Sequence, residues 1–302
     1  MPDRIKTKHV QRLAAYSGGL IRIAAALAWI GMLASLTPVA SAQSPMPKAD
    51  AEPDRESEPD LAGLLAAITD LRMEEPLPGL TVGAADYAAY GIRIHVFDFT
   101  KANFQITLAE QKASTGSHAT DFLEAKDDVF VINGGFFERD RADRLSPSGL
   151  LIVDGNMVAE EHDRAGSGVI YAGENGVAIA YRKDLSDRSK MRDAVQVGPI
   201  LVDPGGVKGI YKNVPERHNR SAICLRGTSF TAFVVEGGIS LFQLADLLSL
   251  PPASGGFGCD VAINLDGGPS TQAVLSAGTT RRGIGGGTTA QNFIVVSRKP
   301  AP

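Results

Sequence analysis

The chain has 302 residues, 44% of them apolar, with a formal charge of −4 and two cysteines. An acidic balance argues against binding to nucleic acid or to an anionic membrane surface, both of which require clustered positive charge. The length is enough for one sizeable hydrophobic core.

Residues 1–42 read as a signal peptide. Arg4, Lys6, Lys8, Arg12 and Arg22 make a basic region, Ile23 to Leu36 an apolar run, and Ala40-Ser41-Ala42 a small-x-small cleavage site. The alternative, an uncleaved anchor, is disfavoured by the shortness of the run. The sequence predicts no stable membrane span after cleavage and a periplasmic or secreted location. Removing five basic groups and Asp3 takes the formal charge from −4 to −8. Residues 43–60 carry four prolines and a run of acidic residues without apolar periodicity, the composition of a disordered linker. Residues 61–302 are left as the folded domain.

Within it, Asp60 to Arg72 reads as an amphipathic helix with an Asp N-cap and apolar Leu61, Leu64, Leu65 and Ile68. Alternation over Ile92–Phe97 predicts a strand, with Phe104–Leu108 as its partner, and Ser117–Ala125 a second short helix. Asp154-Gly155 and Gly173-Glu-Asn-Gly176 read as hairpin turns, and Ser221–Leu225 and Phe230–Val235 as a hairpin around Gly227. Ser240-Leu-Phe-Gln243 is a capping box that opens a helix with Leu241, Leu244, Ala245 and Leu248 on its apolar face. Asn292–Ser297 is a last strand. Strands dominate, which gives an α+β class with a mixed, largely antiparallel sheet, few helices and a single domain.

Three apolar runs end in a polar residue and two glycines: Val129 to Asn133-Gly134-Gly135, Ala232 to Glu236-Gly237-Gly238, and Val261 to Asp266-Gly267-Gly268. Each predicts a buried strand that closes on a tight turn. A carboxylate or amide there sits on a rigid support, beside backbone a ligand can approach. Three such endings suggest one polar pocket at a sheet edge. Side-chain alternation would put Asn264 and Asp266 on one face, roughly 6–7 Å apart, in front of Ser270. An Asp that merely caps its own turn is the competing reading. In Arg217-His218-Asn219-Arg220, the guanidinium next to the strand, Arg220, suits a phosphate or carboxylate; Arg217 reads as solvated charge. Cys224 and Cys259, both expected in strands, can pair once exported, or remain as two buried thiols. Histidines and cysteines show no metal-ligand spacing, so no metal and no cofactor are expected.

As a set, Asn133-Gly-Gly-Phe-Phe137, the Gly149 segment, Gly198-Pro-Ile-Leu, Asn219-Arg-Ser-Ala-Ile223, Val235-Glu-Gly-Gly238 with the helix after it, and Ala262-Ile-Asn-Leu-Asp-Gly-Gly268 resemble the phosphodiester glycosidase family, in order, from about Ile92 to Val296. Two positions depart from its pattern: Glu236-Gly where Asp-Gly is commoner, and Cys224 where glycine is commoner.

The resemblance implies a carbohydrate phosphodiester substrate, cleaved at the anomeric carbon to release the sugar and a phosphomonoester. It casts Asp266 or Glu236 as nucleophile or base, and Arg220 with the backbones of Gly134, Gly135, Gly267 and Gly268 as phosphate binders. Asn133 and Asn264 would orient sugar hydroxyls, with Ser270 and His218 alongside. The competing classes are a catalytically inactive glycan- or phosphoglycan-binding module of the cell envelope and a metal-dependent phosphodiesterase. The sequence leaves the oligomeric state open.

Overall fold

The computed structural model describes residues 58–123, 125–185 and 187–300. The expected signal peptide and nearly all of the expected linker lie outside them.

An eight-stranded sheet runs in the order Arg72–Leu77, Leu80–Tyr87, Ile92–Thr100, Ser229–Ile239, His218–Arg226, Val261–Asn264, Ile200–Asp203, Val207–Lys208. A five-stranded sheet has the order Thr280–Gly285, Gln272–Ala277, Asp128–Asn133, Asn292–Arg298, Phe104–Glu110. A second five-stranded sheet is built from Gly176–Tyr181, Gly168–Gly173, Met191–Val197, Leu151–Val153 and Asn156–Ala159. Every strand pairing among the described residues is antiparallel, for example Ile92–Thr100 with both its neighbours.

Period-2 alternation divides the core into layers. On Ile92–Thr100, Phe97 and Phe99 enter the core between the sheets, with Phe130, Ile132, Val195, Phe230, Leu275 and Ile294. Ile92, Ile94 and Val96 face the other way, onto the helices α1 (Leu61–Thr69) and α2 (Leu241–Ser249), where they meet Leu64, Ile68, Leu244 and Leu248. Both helix starts form as expected. The Asp60 carboxylate accepts from Gly63 N–H, and Ser240 and Gln243 cap each other reciprocally. The turns at Asp154-Gly155 and at Gly173–Gly176 close hairpins, the first with both central residues at positive φ, 48° and 77°.

Five local expectations are corrected. Phe104–Glu110 pairs with Asn292–Arg298 and not with Ile92–Thr100, because the short Lys101–Asn103 turn carries the chain from one sheet to the other. Among the described residues of the expected helix Ser117–Ala125, Ala119–Phe122 form a single 3-10 turn, since Ser117 is held in a β-bridge to Ala290. The first helix stops at Thr69, and Arg72 opens an edge strand. Cys259 lies in the loop before Val261–Asn264, outside any strand. The strand carrying Glu236 does not close there: Gly237 and Gly238, at φ 85° and 87°, pass through a bulge opposite His218–Arg220, and the strand continues to Ile239.

Cys224 and Cys259 form a disulfide with Cα atoms 5.7 Å apart. It ties His218–Arg226 to the loop under the end of α2, where Cys259 N–H donates to Leu248 C=O at 2.8 Å. Closing a loop with a sequence separation of 35 stabilises by about 3–4 kcal/mol in the chain-entropy model. The Cys224→Ala/Cys259→Ala variant should therefore melt about 10 °C lower. Calorimetry with and without reductant checks this, because the reductant should act on the parent protein alone.

Candidate active site

The strands Asp128–Asn133 and Val261–Asn264 belong to different sheets, and their ends are laced together. Asn133 is fully buried. Its amide donates to Asp266 C=O at 2.7 Å, and its Oδ1 accepts from Ser221 Oγ at 2.6 Å and from Gln272 N–H at 3.1 Å. In return, Asp266 N–H donates to Gly134 C=O at 3.0 Å. One amide thus fixes three segments and sets the backbone from which the Asp266 side chain projects.

That backbone has already left the strand, which stops at Asn264, so the alternation argument does not extend to Asp266. Asn264 is buried, and its Nδ2 donates to Gly198 C=O at 3.1 Å and to Leu265 C=O at 2.6 Å. Asp266 is instead braced by its own turn: Gly267 N–H donates to Oδ1 at 2.8 Å, and the Ser270 side chain also bonds the carboxylate. These bonds favour the ionised form, but burial outweighs them and raises the pKa above the ordinary aspartate value. A carboxylate with a raised pKa is one made more basic, and perturbation of this kind is what catalytic bases show.

Position 267 must be glycine for reasons of space. A Cβ there would come within 2.8 Å of Asn219 C=O and 3.8 Å of Arg220 Cδ. The turn that carries Asp266 therefore lies directly against the stem of Arg220. Arg220 is 9% exposed. Its Nε donates to Ile239 C=O at 3.1 Å and its Nη2 to Glu216 C=O at 3.2 Å. It makes no ion pair with a carboxylate among the described residues; burial pulls its pKa down, and the nearby Glu216 carboxylate partly opposes this. A buried cation hydrogen-bonded only to carbonyls, with a carboxylate near it but not paired to it, still gains from an anion that reaches it. Inorganic phosphate should accordingly raise the melting temperature of the parent protein by mass action, and the rise should be absent in Arg220→Gln. Thermal shift against phosphate concentration at fixed ionic strength measures it.

Other expected residues fall elsewhere. The N–H groups of Gly134 and Gly135 are spent on Asn292, on its C=O at 2.9 Å and its Oδ1 at 2.6 Å, and so do not face a phosphate. His218 is exposed and its side chain makes no hydrogen bond among the described residues. Gly268, at φ +59° with open space around it, and Ser270 stay beside Asp266 on its turn.

Glu236 is separated from Arg220 by the sheet itself. Arg220 stands opposite Val235, whose side chain joins the helix-side core, so Glu236, one residue on, points to the other face. There its Oε2 bonds His95 Nε2 at 2.9 Å. Sequence reasoning missed Ser221, Gln272 and Asn292, the buried polar partners of the Asn133-Gly-Gly turn. Their only signal was a polar residue at the end of an apolar strand.

A family model, Phosphodiester glycosidase, matches residues 126–297, a span that contains Asn133, Arg220 and Asp266. No curated protein sequence matches. Among solved structures, the chain is similar to the zebrafish N-acetylglucosamine-1-phosphodiester α-N-acetylglucosaminidase catalytic domain auto-inhibited by its pro-peptide, with 16% identity, a TM-score of 0.50, and coverage of 76% of this chain and 84% of that one. A hypothetical protein from Synechocystis has 12% identity and a TM-score of 0.52, covering 76% and 64% of the two chains. A protein from Burkholderia pseudomallei described as exported has 13% identity and a TM-score of 0.50, covering 72% and 74%. Identities this low speak to the fold alone; the family match rests on the sequence. The chain belongs to the phosphodiester glycosidase family.

Proposed function

We propose that the protein is an exported hydrolase that cleaves a sugar-1-phosphodiester at the anomeric carbon, releasing the sugar and a phosphomonoester. One observation carries this reading: Asp266, a carboxylate made more basic by burial, sits on a turn whose Gly267 lies against the stem of the buried Arg220, which makes no ion pair with a carboxylate among the described residues. The first suits the sugar and the second the phosphate.

A phosphate ester leaves far more readily than an alcohol, so the site needs little general-acid help. Arg220 would stabilise the charge that gathers on the leaving phosphate as the C–O bond breaks. Asp266 would either attack the anomeric carbon or remove a proton from the attacking water. Asn133 acts on Asp266 by positioning it, since its own side-chain bonds all end inside the protein. Export is supported by the basic–apolar–small pattern of residues 1–42, which would be removed, with 43–60 as a spacer, and by a disulfide, a bond that forms and persists in oxidising compartments and is rare elsewhere.

A second reading, a phosphoglycan-binding module without turnover, draws on Glu236: the second carboxylate is held by His95 on the far side of the sheet from Arg220. Incubating the mature chain with UDP-N-acetylglucosamine and a panel of sugar-1-phosphodiesters separates the readings. Free sugar is the expected product. Sugar phosphate would mean P–O cleavage and overturn the glycosidase reading; saturable binding with no product would favour the binding module.

A further inference from the structure

The core between the sheets gives way to polar side chains at one end of the eight-stranded sheet. Val82, Phe97 and Ala232 stand opposite one another in register and are fully buried. Two residues along, on the same face, the row becomes Ala84, His95 and Val234; two further, it becomes Asp86, Arg93 and Glu236. The Thr280–Gly285 strand of the other sheet brings Arg281 and Arg282 to this opening, and the edge strand adds Arg72. The result is a cleft of about 650 Å³, within the usual range for small-ligand sites.

Its charge is opposite to that of the chain. Four guanidiniums line it against two carboxylates, Glu74 and Glu236, on a protein of net charge −4. Arg282 pairs with Glu74 at 2.6 Å and Arg93 with Asp86 at 3.3 Å. Arg72 has no partner among the described residues, and Arg281 donates only to the carbonyls of Gly278 and Thr280. Two cations are therefore left over for a ligand. At the floor, His95 is 8% exposed and its Nε2 is bonded to Glu236, so its part in the cleft is to hold that carboxylate. Glu236 gives one oxygen to His95 and keeps the other. A carboxylate acceptor on the floor with planar cations at the rim matches hydroxyls on one side of a ligand and a negative group on the other.

We propose that this cleft is a second saccharide site, specific for a glycan with an anionic substituent such as a uronate or a phosphate monoester. Glu236, held in place by His95, takes ring hydroxyls, and Arg72 and Arg281 take the charge. A long polyanion of the nucleic-acid kind is disfavoured by the negative charge of the rest of the chain. The cleft opens on the opposite face of the sheet from Arg220, so occupancy here and turnover at Asp266 can be read separately.

Titration calorimetry on the full chain tests this with trigalacturonate, its trimethyl ester and a triglutamate peptide of equal charge. Trigalacturonate should bind about tenfold or more tightly than the ester, and the triglutamate more weakly than the saccharide. Arg72→Ala/Arg281→Ala, both exposed positions, should reduce trigalacturonate affinity about tenfold, and Glu236→Gln should weaken the ester as well. Galactose 6-phosphate against galacturonate then tells which anionic group the rim prefers. Equal affinity for acid and ester, equal affinity for triglutamate, indifference to the arginine substitutions, or no binding up to about 1 mM would each overturn the proposal. None of these outcomes bears on product formation from a sugar-1-phosphodiester.

Discussion

Asp266→Asn is expected to lose turnover by about 10²–10⁴-fold, the usual worth of a positioned base, and to melt higher than the parent at neutral pH. The two effects have one cause. Burial raises the pKa of the Asp266 carboxyl in the folded state, so the fold prefers the neutral acid. A group whose pKa rises on folding stabilises fully below its unfolded value, and that contribution is lost as pH climbs through the folded value. At pH 7 the parent therefore holds an ionised carboxylate that its surroundings disfavour. Asparagine keeps the shape and the acceptor for Gly267 N–H without the charge. The stability gap should close as pH falls below the ordinary aspartate pKa of 3.8, where both proteins are neutral at this position. The acid limb of kcat/KM in the parent should likewise lie above the ordinary aspartate value. Melting curves of the two proteins between pH 3 and 8, beside a pH–rate profile of the parent, measure all three. A folded Asp266→Asn protein that still turns over would remove Asp266 from the chemistry.

How far the sequence could be read depended on the range of the interactions. Helix starts and two-residue turns were legible because their determinants are neighbours, as with Asp60 and Gly63, Ser240 and Gln243, or Asp154-Gly155. Strand positions were legible from alternation, but partners were not: Phe104–Glu110 looks like the return arm of a hairpin and is claimed by Asn292–Arg298. The candidate site divides in the same way. Asp266 and Arg220 could be named because a charged residue beside an apolar strand needs a reason. The face each occupies depends on register, and register set Glu236 against His95, 141 residues away. The double glycine after Asn133 was read as a phosphate loop. A Cβ at Gly134 would lie 2.1 Å from Asn292 Oδ1, so that glycine answers to a buried side chain and not to a ligand.

Asn133→Ala is expected to be the most destabilising single change in the site. The side chain is 0% exposed and makes three hydrogen bonds to residues 88 to 139 positions away. Truncation leaves Asp266 C=O, Ser221 Oγ and Gln272 N–H without that partner. Each orphaned buried group costs about 1–3 kcal/mol, so the total should be about 3–9 kcal/mol, a fall of 10 °C or more in melting temperature for a domain of this size. Asn133→Asp should not rescue it: the carboxylate can still accept from Ser221 and Gln272 but presents an oxygen to the Asp266 carbonyl and buries a charge. Kinetics below the melting transition decide between the two roles for this residue. A positioning residue lowers kcat as Asp266 loses its anchor, with KM little changed and the melting temperature sharply reduced. A residue that held a sugar hydroxyl would raise KM and leave the melting temperature near that of the parent, and that result would return Asn133 to the substrate.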